Sequence, residues 1–262
     1  KQPPVSVDNF KRIIDDDYYY VDKTKVIEEL LYNKNLLVLF PRPRRFGKSL
    51  LLSMIDCFFN IDKKENNKNL FRGLYIEKSE YYSEFGKYPV IHVDFKSLKR
   101  NTYEGILNQF KFLISELYKE KEYVKEILDE DELKDFNLIK SRQGNEDDYI
   151  QAIKLLSKWL CRYHKQNVII LIDEYDVPIT EAYMNNIYNE VMNFMREVFS
   201  NTLKGNENLK IGILTGVTRV SKESIFSGFN NLKIYDLMNR EYNEYFGFTE
   251  IETKELLNYY GL

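Results

Sequence analysis

The stretch FPRPRRFGKSLL, Phe40 to Leu51, decides how the rest of the chain is read. It continues the apolar run LLVLF (Leu36–Phe40), and its tail, Gly47-Lys48-Ser49, opens a helical pattern. A phosphate-binding loop needs these parts in this order: backbone N–H groups to wrap an anion, and a helix amino end aimed at it. A lysine then reaches the outer oxygens, and a hydroxyl after it serves Mg2+. The regular pattern is G-x-x-x-x-G-K-[ST], and here Arg42 stands in the place of the first glycine. Pro41 and Pro43 stiffen that turn by fixing φ. Two readings are open at this point, a nucleotide site with an unusual loop and a basic turn that only resembles one.

Working outward, four further apolar runs read as buried strands: Val90–Phe95 (VIHVDF), Val168–Ile172 (VIILI), Ile211–Thr215 (IGILT) and Lys233–Leu237 (KIYDL). Most are continuous rather than alternating, as expected for a parallel sheet covered by helices on both faces. Helical patterns lie between them. Val26–Tyr32 follows Thr24, a good N-cap, with Glu28 near the position that completes a capping box. Leu50–Phe59 runs on from the GKS, and Asp147–Tyr163 and Tyr188–Leu203 carry apolar residues close to a 3.6 period. The alternation gives a doubly wound α/β domain over 1–240, with a charged helical insertion at about 100–165. A new helix starts at Thr249, so 241–262 reads as the start of a truncated lid or C-terminal helical region.

Two more elements bear on the loop. VIILIDEYD, Val168–Asp176, is an apolar strand ending in Asp173 and Glu174. The expectation is that Asp173 lies beside the loop and holds the water shell of Mg2+, while Glu174 polarises an attacking water. In ILTGVTRVSKESIF, Thr215 ends a strand where a γ-phosphate can be sensed, and Arg219 follows in the next turn. Arg219 either reaches a phosphate, in cis or on a neighbouring subunit, or pairs with Asp173 or Asp176 and braces the sheet edge.

Bulk composition removes several alternatives. With a net charge of −3 the whole chain carries no field that draws nucleic acid or anionic lipid, so any basic site is local. Cys57 and Cys161 form no C-x-x-C pair, which fits a reducing, cytoplasmic setting. No apolar run approaches a membrane span, and KQPPVSVDNF has no apolar signal core. His92 and His164 have no zinc-ligand spacing with the cysteines, and no G-x-S-x-G elbow occurs. Asp94-Phe95-Lys96 resembles a nuclease metal string but lacks a second acidic partner, so it reads as a strand end. Arg42, Arg44, Arg45, Lys96, Lys99 and Arg100 form a small basic set able to touch a phosphate backbone.

With these pieces joined, the sequence resembles the bacterial AAA-ATPase-like family, whose members commonly carry a C-terminal PD-(D/E)XK nuclease-like domain. The resemblance rests on YYYVDKT (Tyr18–Thr24), RPRRFGKS (Arg42–Ser49), LIDEYDVPI (Leu171–Ile179), LTGVTRVSKESIFSGFNNL (Leu214–Leu232) and YFGFTE (Tyr245–Glu250). It implies an AAA-like P-loop NTPase fold in which an arginine at position 42 is normal. It also implies ATP or GTP bound by Arg42, Pro43, Arg44, Arg45, Phe46, Gly47, Lys48, Ser49 and Leu50, with Ser49 and Asp173 on Mg2+ and Glu174 as hydrolytic base. Tyr20, Val21 and Asp22 would flank the base by the same resemblance. The chain departs from the family in that no lid-sensor arginine is recognisable after Thr249; Arg240 could substitute but lies early, and no role is assigned to Ser224 or Ser227.

The combined expectation is Mg-dependent ATP binding and hydrolysis, with Thr215 and Arg219 assisting Glu174. Coupling would run to a nuclease-like domain or protein partner, with nucleic acid reached through that partner and a homo-oligomer if Arg219 acts in trans. The alternatives are a nucleotide-gated switch with little turnover and a nucleic-acid-binding protein.

Overall fold

Each of the five apolar runs becomes a strand: β1 (Leu37–Pro41), β2 (Val90–Asp94), β3 (Val168–Asp173), β4 (Leu209–Gly216) and β5 (Leu232–Ile234). In the computed structural model, which describes residues 1–218, 225, 226 and 228–262, they form one sheet in the order β2-β3-β4-β1-β5. All four pairings are parallel. Parallel neighbours need crossovers, and helices supply them. Before β2 come α1 (Phe10–Asp15), α2 (Lys25–Asn33), α3 (Lys48–Phe59) and the short α4 (Lys64–Asn67). Between β2 and β3 lie α5 (Tyr103–Glu120), α6 (Glu130–Lys140) and α7 (Glu146–His164). Then follow α8 (Val177–Met184) and α9 (Tyr188–Leu203) before β4, and α10 (Glu250–Tyr260) after β5.

The continuous apolar strands serve two cores at once, because successive side chains point to opposite faces. Leu37 and Leu39, with Val168, Ile170 and Ile172, pack under α5 to α9. Val38 and Phe40, with Ile169 and Leu171, pack under α1 to α3 and the aromatics Tyr235, Tyr242, Tyr245 and Phe246. No helix among the described residues is long and apolar enough to cross a membrane.

Local chemistry departs from expectation at two points. Thr24 sits at the N-cap of α2 but makes no side-chain cap bond there. Its hydroxyl donates to Asp22 Oδ1 at 2.6 Å and accepts from Ile76 N, while Glu28 accepts from Tyr75 and Ser79. The capping box is replaced by ties to the 75–79 turn. The last strand is also shorter than KIYDL, because Asp236 starts a turn: its N–H donates to Asn239 Oδ1, and its Oδ1 accepts from Met238 N. At the carboxyl end, Thr249 and Glu252 form a full capping box on α10, which buries no side chain of its own.

Candidate functional site

β1 is buried along its whole length, and its last residue leads into the 42–47 loop at the carboxyl edge of the sheet. The strained positions are not where the motif puts its first glycine. Arg45 has φ 67° and Gly47 φ 80°, while Arg42 is not in the left-handed region. Arg42 instead extends the ladder, donating its N–H to Gly216 O at 2.9 Å. A glycine at 42 is therefore unnecessary, since the conformation that favours glycine falls at 47.

Gly47 is the N-cap of α3 and makes no side-chain cap bond. The first amides of this 12-residue helix carry partial positive charge and no capping side chain. Lys48, the first helical residue, is 5% exposed. Its Nζ donates to Pro43 O at 3.3 Å and lies 3.8 Å from Glu174 Oε1. An ammonium has three donors, and the second contact is too long for a hydrogen bond. Ser49 follows in the first turn, half-buried, and Leu50 packs against the α1–α3 core.

The acidic strand does not lie directly beside the loop. β4 stands between β1 and β3, pairing Pro41 with Gly216 on one side and Ile172 with Leu214 on the other. Asp173 is thus one strand further from the loop than the sequence reading had it. The link is Thr215, fully buried, whose hydroxyl donates to Asp173 Oδ1. The same oxygen accepts Glu174 N at 2.9 Å. Glu174 adopts φ 52°, an uncommon conformation for a side-chain-bearing residue, and this turns its carboxylate across the end of β4 toward Lys48. Burial raises the Glu174 pKa above the ordinary value; Lys48 opposes the rise, and Asp173, Asp176 and Asp94 add to it.

Several expected site residues are engaged elsewhere. Arg42 is 1% exposed, and its guanidinium bonds Pro41 O, Tyr235 O and Asn243 Oδ1, which ties it to the 235–243 segment. Asp22 accepts from Thr24 on one oxygen and from Tyr75 N at 2.6 Å on the other, which makes it a brace between α2 and the 75–79 turn. Tyr20 packs edge-on against Phe10, 5.3 Å between centroids. Arg44 and Arg45 are exposed, as are Lys96, Lys99 and Arg100 beyond the end of β2. Arg219, Ser224 and Ser227 lie outside the described residues.

Asp176, named from the sequence only as a partner for Arg219, and Gly216, given no role there, complete the edge. Asp176 is buried and takes the N–H groups of Val217 and Thr218, at 3.1 and 2.7 Å, plus the Thr218 hydroxyl at 2.5 Å. It thereby fixes the backbone of Val217 and Thr218. Gly216 has no room for a side chain: a Cβ there would come within 2.6 Å of Asp176 Oδ1 and of the Tyr175 ring. The string DEYD showed the carboxylates, but a partner 41 positions away was invisible in it.

Chemically, the edge brings together a helix amino end with a glycine cap, a buried cation with donors unused among the described residues, a hydroxyl, and two carboxylates of different environment. Such a set can hold a polyanion with a hard divalent cation and can activate a water. A family model described as "Predicted AAA-ATPase" matches residues 4–226. A protein of Azotobacter chroococcum mcd 1, described as "Uncharacterized protein in vnfD 5'region", is 28% identical over 260 residues. That match takes in 96% of this chain and 44% of the relative, so the chain spans less than half of the relative's length. No solved structure matches the chain.

Proposed function

The chain belongs to the predicted AAA-ATPase-like family, and from that premise we propose that it binds a Mg-nucleotide, ATP for preference, at the carboxyl edge of its sheet and hydrolyses it. The fold is read as a P-loop NTPase. The observation that carries the proposal is Lys48, a buried ammonium at the glycine-capped amino end of α3 with only one hydrogen bond among the described residues. A cation in that position is best matched by phosphate oxygens, which would take its remaining donors together with the loop and helix amides.

The other residues take roles that their surroundings support. Ser49 in the first turn of α3 and Asp173 at the end of β3 are oxygen donors suited to Mg2+, with water completing the shell. Bound there, Mg-ATP supplies an electrophilic γ-phosphoryl group. Glu174 orients a water and accepts its proton, Lys48 offsets the charge that develops, and Thr215 holds Asp173 in place. Coupling to a C-terminal nuclease-like domain, or to a partner that brings nucleic acid, belongs to the same proposal.

One observation favours a second reading, tight binding with little turnover: Glu174 faces Lys48, and a base turned toward a cation must be released before it can serve a water. ATP binding and phosphate release by the purified chain, wild type beside Glu174→Gln, separate the two. Turnover that falls by about 10^2-fold or more in Glu174→Gln with binding retained supports hydrolysis. Binding without turnover in the wild type supports the switch, and absence of binding removes both.

A further inference from the structure

Arg42 links two parts of the chain that are far apart in sequence. Its Nη1 donates to Pro41 O at 2.9 Å and to Tyr235 O at 2.5 Å, and its Nη2 donates to Asn243 Oδ1 at 3.0 Å. The guanidinium lies over the Phe246 ring, 4.5 Å from the centroid. Its Nε is buried and has no hydrogen-bond partner among the described residues. Burial pulls its pKa down, with Asp236 opposing, yet an arginine keeps its charge. With three hydrogen bonds and a ring contact, its fixed fork of donors makes it an effective positioning group.

The other end of the loop is held to the same segment. Phe46 O accepts the Gly247 N–H at 3.1 Å, and a Cβ on Gly247 (φ 66°) would lie 3.4 Å from the Phe46 ring. Beyond that contact the segment runs into α10. That helix is tied by the Lys23–Glu252 ion pair at 2.5 Å and by Tyr19 against Tyr259, and it buries no side chain. Helices with few buried contacts open at low cost, so their amides register small changes in their attachments. The loop is therefore clipped at both ends, Arg42 and Phe46, to residues 235–247.

We propose that Arg42 is a positioning residue through which the 42–47 loop and the 235–252 segment move as one, so that an anion filling the loop is registered at α10. The identity of the anion rests on the nucleotide reading above; the mechanical link rests on these contacts alone. An anion filling the loop takes the remaining donors of Lys48, whose Nζ already holds Pro43 O, and so tightens the backbone between the two clips.

The test is hydrogen–deuterium exchange on the full chain with and without MgADP, for wild type, Asn243→Ala and Arg42→Lys, with MgADP binding measured separately by calorimetry. In the wild type, MgADP slows α10 exchange by roughly threefold or more. Asn243→Ala leaves binding in place but loses that slowing, and Arg42→Lys, which keeps the charge without the fork, loses most of it. A purely structural clasp would lower the thermal midpoint in both states without altering the nucleotide-dependent difference. Two results overturn the proposal: wild-type protein that binds MgADP with α10 exchange unchanged, or an Asn243→Ala variant with the full response. If the wild type binds no MgADP, the nucleotide reading fails on its own account, and the clasp is judged without ligand. Asn243→Ala must then speed exchange at 44–47 and 250–260 together; acceleration in one region or in neither sinks it.

Discussion

Glu174 stands at φ 52° with its carboxylate 3.8 Å from Lys48, and that placement governs how it titrates. Burial raises its pKa, and the carboxylates of Asp173, Asp176 and Asp94 add to the rise against the pull of Lys48. A base works only when ionised, so turnover should fall on the acid side at a pH above the ordinary glutamate value of about 4.3. A pH–rate profile of kcat checks this, and an acid limb at or below that value would remove Glu174 as the base. The same scale explains the loop. The Arg42 partners Tyr235 and Asn243 lie 193 and 201 positions away, so its contacts could not be read locally. Restoring the motif glycine should therefore harm the protein: Arg42→Gly deletes three hydrogen bonds and a ring contact, and should cost about 2–4 kcal/mol. Arg45→Gly, at φ 67°, should be neutral or slightly stabilising. Thermal denaturation of the pair gives the answer; equal midpoints would show that Arg42 contributes nothing.

At the scale of elements, the strands and long helices were legible because each needs only local pattern: five apolar runs, and periodic stretches such as Tyr188–Leu203. Strand order was not, because nothing in LLVLF or VIILI says that β4 comes between them. The two histidines were also opaque, since each acts through an aspartate at or just beyond the end of α3. Asp56 is buried; burial raises its pKa, but His92 and Lys63 outweigh that and hold it well below the ordinary range. Such a carboxylate contributes stability above its unfolded pKa of about 3.9 that is lost as pH falls toward the folded value. His164 behaves differently. Burial lowers its pKa, Lys121 adds to that, and Asp62 opposes it, while Tyr123 bonds its Nε2 at 2.9 Å. The fold favours the neutral ring, so stability is full above the unfolded pKa of about 6.5 and declines below it. Urea midpoints should drop from pH 7 to 5, and His164→Phe should flatten that limb while Asp56→Asn flattens only the limb below pH 4. A His164→Phe variant with an unchanged slope would assign the first limb elsewhere.

At the scale of the whole molecule, a chain of net charge −3 has no global attraction for a polyanion, so the proposed nucleotide binding rests on the arrangement at the sheet edge. That edge is assembled from β1, β3 and β4 and from the amino end of α3, elements that exist together only in the folded state. A ligand that holds them must therefore stabilise the fold as a unit. At a free concentration of about 100 times its Kd, a ligand bound only to the native state adds about 2.7 kcal/mol. For a chain of this size, each kcal/mol raises the midpoint by roughly 2–4 °C, so saturating Mg-ATP should raise it by about 5–10 °C. Lys48→Ala removes the buried cation, and with it charged hydrogen bonds of about 1.5–3 kcal/mol each, so affinity should fall tenfold or more and most of the shift should vanish. Duplex DNA at low salt is the control. Stabilisation by DNA but not by Mg-ATP would move the function to the exposed Arg44, Arg45, Lys96, Lys99 and Arg100. A Mg-ATP shift that survives Lys48→Ala unchanged would place the nucleotide away from the loop, and the reading of FGKS would fail with it.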